Sequence, residues 1–127
     1  MNTKPVLSYR RHVKNEDLNA AGTLFGGRLM EWCDEAGALY AFCQMKTKKL
    51  VTLKVSELIF KEPSKLGDIL EFYAYTIKEG TTSFTLKLEV QRKTIDDDSV
   101  SNTLMLDCEM VFVAIDGNGK PTSWKKA

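Results

Sequence analysis

The chain has 127 residues, 43% of them hydrophobic and 28% charged, with three prolines; that is the size and balance of one packed domain, residues 1–127, and it excludes a disordered, collagen-like or disulfide-stapled chain. Eighteen lysines and arginines against 17 aspartates and glutamates leave a net charge of +1, so no general positive field exists to hold nucleic acid or an anionic membrane. Three widely spaced cysteines, Cys33, Cys43 and Cys108, form no CxxC pair and point to a reducing, cytoplasmic setting without a zinc or redox motif.

The first eleven residues lack the apolar run of a secretory signal, and the most apolar stretch, 24–45, carries Arg28, Glu31, Asp34 and Glu35, too costly for a membrane span. Residues 6–13 read as an edge strand and 14–23 as a loop of turn formers. From 24 to 45 helix formers dominate, with no proline and no β-branched run; this predicts one long helix with Thr23 as its N-cap.

After Lys49 the period becomes two. Val51, Leu53 and Val55 alternate with polar residues, and Leu58 and Phe60 then take the opposite parity, which predicts one strand bulged near Glu57. Pro63, Gly67 and Asp68 mark a turn before 69–77, where both parities are apolar or aromatic, as in a strand covered on both faces. Lys78, Glu79, Gly80 and Thr81 signal a hairpin. Phe84, Leu86, Leu88 and Val90 then alternate with polar residues, an acidic loop follows at 96–99, and a last strand runs from about Thr103 to Ile115. The turn residues 116–121 end it, and the remaining tail is expected to fray.

One helix and four long strands predict an α+β domain, an antiparallel sheet curled around a single central helix. About 21 helical residues extend ~30 Å and strands of 9–13 residues ~30–43 Å, so the sheet can cover the helix end to end.

On that helix Arg28, Glu31 and Glu35 form a narrow polar stripe, and Asp34 lies beyond it on an arc holding Gly27, Met30, Ala38, Ala41 and Met45. Asp34 is then either a local cap or the border of the stripe, or a buried carboxylate poised as base or nucleophile. Just upstream, GTLFGG (residues 22–27) puts small residues and unpaired N–H groups at the helix start, a natural site for an oxyanion.

The run EDLNAAGTLFGGRLMEWCDEA (residues 16–36) resembles the signature of hotdog-fold acyl-CoA thioesterases of the YciA and brain-type acyl-CoA hydrolase kind. FKEP (60–63) with Gly67 and Asp68, GTTS (80–83), and VAID (113–116) with Gly119, Lys120 and Pro121 are similar to that family in the same order. Asn15 and Ala21 depart from its usual residues and supply no chemistry. The resemblance implies an acyl-CoA hydrolase releasing a carboxylic acid and CoA, in fatty acid metabolism. It also implies a catalytic pair, Asn19 and Asp34, fifteen positions apart as in the family, and a backbone N–H at Gly26, with Gly27 beside it, on the thioester oxygen. Asp34 would activate water or form a transient anhydride, and Asn19 would orient water or substrate.

Gly26 and Asp34 are eight residues apart, ~12 Å along a helix, yet both must reach adjacent reacting atoms. Two antiparallel helices in a C2 homodimer satisfy that demand, and the family's trimer of dimers implies a hexamer. Coenzyme A, present as part of the substrate and not as a cofactor, needs polar and basic contacts; Thr82, Ser83, Arg92, Lys93 and Lys61 are the candidates. No metal is expected. His12, the single histidine, is the one candidate for a hydratase or dehydratase reading, and a non-catalytic acyl-CoA-binding hotdog protein is the other alternative.

Overall fold

The computed structural model describes residues 3–125. Strand β1 (Val6–His12) leads through a short 3-10 turn, Asn15–Asp17, into helix α1 (Gly26–Met45), followed by β2 (Leu50–Val55), β3 (Ile69–Glu79), β4 (Ser83–Asp96) and β5 (Ser99–Ala114). The strands form one antiparallel sheet in the order β1-β3-β4-β5-β2. The helix therefore carries the chain from one sheet edge to the other, and β3, β4 and β5 fill the middle as a meander. This is the helix-in-sheet arrangement that the residue pattern predicts.

Alternation decides what faces the helix. Leu70, Phe72 and Ala74 on β3, Phe84, Leu86, Leu88 and Val90 on β4, and Leu106, Cys108, Met110 and Phe112 on β5 are buried against Leu29, Trp32, Cys33, Ala36, Tyr40 and Ala41. Gly37 lets the helix approach the sheet: a Cβ there would stand 2.6 Å from Met110 Sδ. The polar atoms that enter this layer are paired, Tyr40 Oη with Thr76 Oγ1 at 2.7 Å.

The structure corrects the predicted elements in four places. The helix starts at Gly26, not Leu24, and Phe25 is its N-cap; Thr23 is not the cap, because its N–H and hydroxyl both donate to Asn19 Oδ1. β2 ends at Val55 and its irregularity lies between Thr52 and Lys54, so Leu58 lines a cavity and Phe60 is exposed, and neither continues the strand. The acidic loop is a two-residue turn, with Asp96 opposite Ser99 and β5 beginning there and not at Thr103. The described part of the tail is docked through Trp124: its Nε1 donates to Ser83 O at 3.0 Å, and its ring meets Phe84 edge-on at 5.8 Å.

Outside the helix-facing layer, β3 is polar where full apolar cover is expected. Glu71 is 1% exposed and accepts from Arg10 Nε (3.0 Å) and Nη2 (2.6 Å), Tyr73 Oη (3.2 Å) and Asn102 Nδ2 (3.3 Å), with Lys93 Nζ at 3.4 Å. Burial would raise this carboxyl; the Arg10 hydrogen bonds and the Lys93 charge outweigh it and hold the pKa below the ordinary glutamate value.

Candidate active site

The loop before the helix is fixed by short polar contacts. Asn19 Oδ1 accepts from the N–H of Ala21 (3.0 Å) and of Thr23 (3.1 Å), an Asx-type turn that a short amide side chain makes readily. Gly22 permits it with φ +84°. Asp17, buried, accepts from Lys14 N–H at 2.8 Å and stands 3.7 Å from Arg28, while Phe25 N–H donates to Asp17 O. Leu24 N–H reaches Ser64 O at 2.8 Å. The chain thus arrives at Gly26 with a set direction.

At the helix start, Gly26 and Gly27 donate to no backbone carbonyl among the described residues, whereas Arg28 and Leu29 both reach Phe25 O. Two N–H groups are left at the positive end of a 20-residue helix. Gly26 lines a hollow of about 230 Å³ with Phe60, Glu62 and Pro63. A Cβ on Gly26 would come no closer than 3.9 Å to Phe60, while one on Gly27 would meet the Phe25 ring at 2.7 Å.

Two turns further on, Asp34 borders a separate, largely apolar cavity of about 400 Å³ lined by Met30, Cys33, Val55, Ser56, Leu58 and Met110. The carboxylate is exposed in the single chain, not buried as one of the two sequence readings required: the core-facing side of the helix runs through Leu29, Trp32, Cys33, Ala36 and Tyr40, and Asp34 lies at its border. Thr52 Oγ1 on β2 donates to Asp34 Oδ1 at 2.7 Å, so the side chain is held across the helix-strand gap. Thr52 is the residue that sequence reasoning missed; its place in the polar half of an alternating strand gave the only signal. Beside it, burial first and then Cys108 and Asp34 push the Cys33 thiol far above its ordinary range, and burial lifts Cys108 to about 11. Both stay neutral at physiological pH, so the thiol at the cavity wall is packing and not a nucleophile.

Asn19 braces the loop that leads into Gly26 without lining the Gly26 hollow, and Asp34 borders the other cavity. The coenzyme A candidates are divided as well. Thr82 and Ser83 lie at the β3-β4 turn, opposite the end of β5, while Arg92 and Lys93 lie at the other end of β4, ~30 Å away at ~3.3 Å per residue. Arg92 Nη1 donates to Pro63 O at 2.7 Å, Lys93 is engaged by Glu71, and Lys61 stands 3.5 Å from Asp107. One chain does not bring these five together. His12 is exposed on β1 beside Arg10, Arg11 and Ile69 and does not line the Asp34 cavity. Among the described residues no group of three or more His, Cys, Asp or Glu could hold a metal ion, and no helix is long and apolar enough to cross a membrane.

Residues 21–98 match the thioesterase superfamily. The chain belongs to that superfamily. It is 34% identical over 106 residues to the acyl-CoA thioester hydrolase YciA of Salmonella typhimurium, covering 83% of this chain and 79% of that protein. It superposes on a hexameric broad specificity acyl-coenzyme A thioesterase, solved as an aspartate-to-alanine mutant, with a TM-score of 0.89 and 30% identity over 97% of this chain and 88% of that one. An acyl-CoA hydrolase from Staphylococcus aureus, in complex with butyryl coenzyme A and coenzyme A, gives 0.81 at 30% identity over 91% of this chain and 68% of that one. Mutants of that hydrolase with one asparagine, one threonine or one aspartate changed to alanine have also been solved. The thioesterase-superfamily chain described here has the hotdog fold that such proteins share.

Proposed function

We propose that this protein hydrolyses acyl-CoA thioesters to a carboxylic acid and CoA. Relatives named for that activity support this substrate class. The observation that carries the reading is a carboxylate, Asp34, fixed by Thr52 at 2.7 Å on the border of an apolar cavity able to receive an acyl chain. Thr52 holds Oδ1 and leaves Oδ2 to accept a proton from water, so Asp34 acts as the general base. Water adds to the thioester carbon, the carbonyl oxygen becomes an oxyanion, and its collapse expels the CoA thiolate, which takes up a proton. The Gly26 N–H, with the helix dipole behind it, stabilises the oxyanion. Asn19 orients the water or the substrate. The asparagine and the aspartate mutated in the S. aureus hydrolase are fifteen positions apart, the same separation as Asn19 and Asp34.

Because Gly26 and Asp34 border different cavities of one chain, the working unit is a C2 homodimer in which Gly26 of one chain faces Asp34 of its partner. The β2 edge supports this. It carries exposed Val51, Leu53 and Val55, with Met30 exposed on the neighbouring helix, and an unpaired apolar strand edge is a template for a second chain. A hexameric relative supports assembly of such dimers into a hexamer, read here as a trimer of dimers. The three free thiols suit a reducing cytoplasm.

The test is a panel of acyl-CoA thioesters from short to long chains, with free thiol measured on release. Hydrolysis of at least one member is expected without added metal and unchanged by EDTA; no thiol release across the panel contradicts the reading.

A further inference from the structure

A ring of three dimers needs a second kind of contact. The two-fold contact joins like to like; the contact between dimers is either a second like-to-like contact or a heterologous one, in which one surface projects and a different surface receives it. The hairpin of β4 and β5 projects. β3 begins at Ile69 opposite Lys93, so residues 94–101 pair only with each other and form a two-stranded arm beyond the sheet. Ile95 and Val100 face one another across it, 60% and 61% exposed, and Asp96, Asp97 and Asp98 sit at its tip.

Beside the root of the arm lies the receiving surface, a hollow of about 390 Å³ lined by Arg10, Arg11, His12 and Ile69. Its basic rim is held rigid: Arg10 on buried Glu71 at 2.6 Å, and the Arg11 guanidinium over the Trp32 ring at 4.7 Å. The hollow offers an apolar floor and positive charge; the arm offers two bare aliphatic side chains and negative charge. Within one chain the arm and the hollow make no ion pair with each other among the described residues.

We propose that the β4-β5 arm of each chain seats in the Arg10-Arg11-His12-Ile69 hollow of a chain from the next dimer, and that three such contacts on each side close the hexamer. This rests on the hexameric assembly inferred above. Ile95 and Val100 pack against Ile69 of the neighbour while the acidic tip lies along its arginines. The contact is heterologous, and the three-fold rotation closes it into a ring.

Native mass spectrometry and light scattering test this on the 127-residue chain. The wild type should run as a hexamer, and Ile95→Asp with Val100→Asp, at exposed positions, should lower the particle mass threefold, to dimers with unchanged circular dichroism. Replacing Asp96, Asp97 and Asp98 by lysine should do the same. Leu39→Asp, in a different apolar hollow with Val6 and Cys43, should leave the hexamer intact. A dimeric wild type, or arm variants that remain hexameric, or dissociation by Leu39→Asp alone, would overturn the proposal. Dimers of the arm variants should still release thiol. Absence of thiol release from wild type and variants alike counts against the hydrolase reading and leaves the assembly result standing.

Discussion

The two edges of the sheet are finished in opposite ways. β1 is tied into its own chain by charge: Arg10 to Glu71, Tyr9 Oη to Glu35 at 2.9 Å, Arg11 stacked over Trp32. β2 makes no ion pair among the described residues and is tied to the helix by Thr52 to Asp34; Val51, Leu53 and Val55 stand exposed, and next to them a cavity opens with Asp34 on its border. The charges of β1 are paired within the chain, and although Val6 and Leu7 near its start are exposed, this edge is less of a template for a further strand. On the reading proposed above, an edge with bare aliphatic side chains beside a cavity and a carboxylate is where a second chain and a substrate meet.

The largest break in this contrast is at the open edge. Asp34→Asn keeps the size of the side chain and a hydrogen bond to Thr52 but removes the proposed base, and kcat should fall at least ~10²-fold with the fold unchanged by circular dichroism. Activity within a few-fold of wild type would place the base elsewhere. At the closed edge the effect should fall on stability. Glu71→Gln leaves Arg10 and Lys93 beside a neutral group and should cost about 2–3 kcal/mol by urea unfolding at neutral pH. The pH dependence has a definite sign. Glu71 has a folded pKa below its ordinary value, so its contribution is present above the unfolded carboxyl range and is lost as pH falls through the folded pKa. Wild-type stability should therefore drop more steeply than that of Glu71→Gln between about pH 5 and pH 2; parallel curves would contradict the role given to this carboxylate. The smallest effect is on positioning. Thr52→Val removes the donor to Asp34 Oδ1 and should lower kcat roughly 10-fold, the scale of one charge-assisted hydrogen bond, with KM little changed.

Much of this contrast can be read from residue order, and what cannot has physical causes. The alternation of Phe84, Leu86, Leu88 and Val90 places all four at 1% exposure or less, because one face of β4 lies on the helix and the other does not. Asp34 stands out in the sequence as a carboxylate beyond the polar stripe, and the structure leaves it at the border of the core where that offset puts it. Thr23 fails as a cap because Asn19 competes for it, a contact between two residues of one loop that propensities do not weigh. Leu58 and Phe60 mimic a strand since cavity-lining and sheet-facing positions share the same apolar code. Trp124 gains its place from Phe84 and Ser83, forty residues upstream, and so reads as a loose end. Lys61 and Lys93 look available for phosphates until folding brings Asp107 and Glu71 beside them.

The central claim is that neither chain alone holds a whole site, and complementation measures it directly. Asn19→Ala and Asp34→Ala chains, each nearly inactive alone, are unfolded, mixed one to one and refolded together. Random pairing makes half of the dimers mixed, and a mixed dimer has one site with both residues intact and one with neither. Activity should return to about a quarter of wild type if each dimer holds two independent sites. No recovery, with mixed dimers confirmed by native mass spectrometry, would mean that Asn19 and Asp34 act within one chain or that neither takes part.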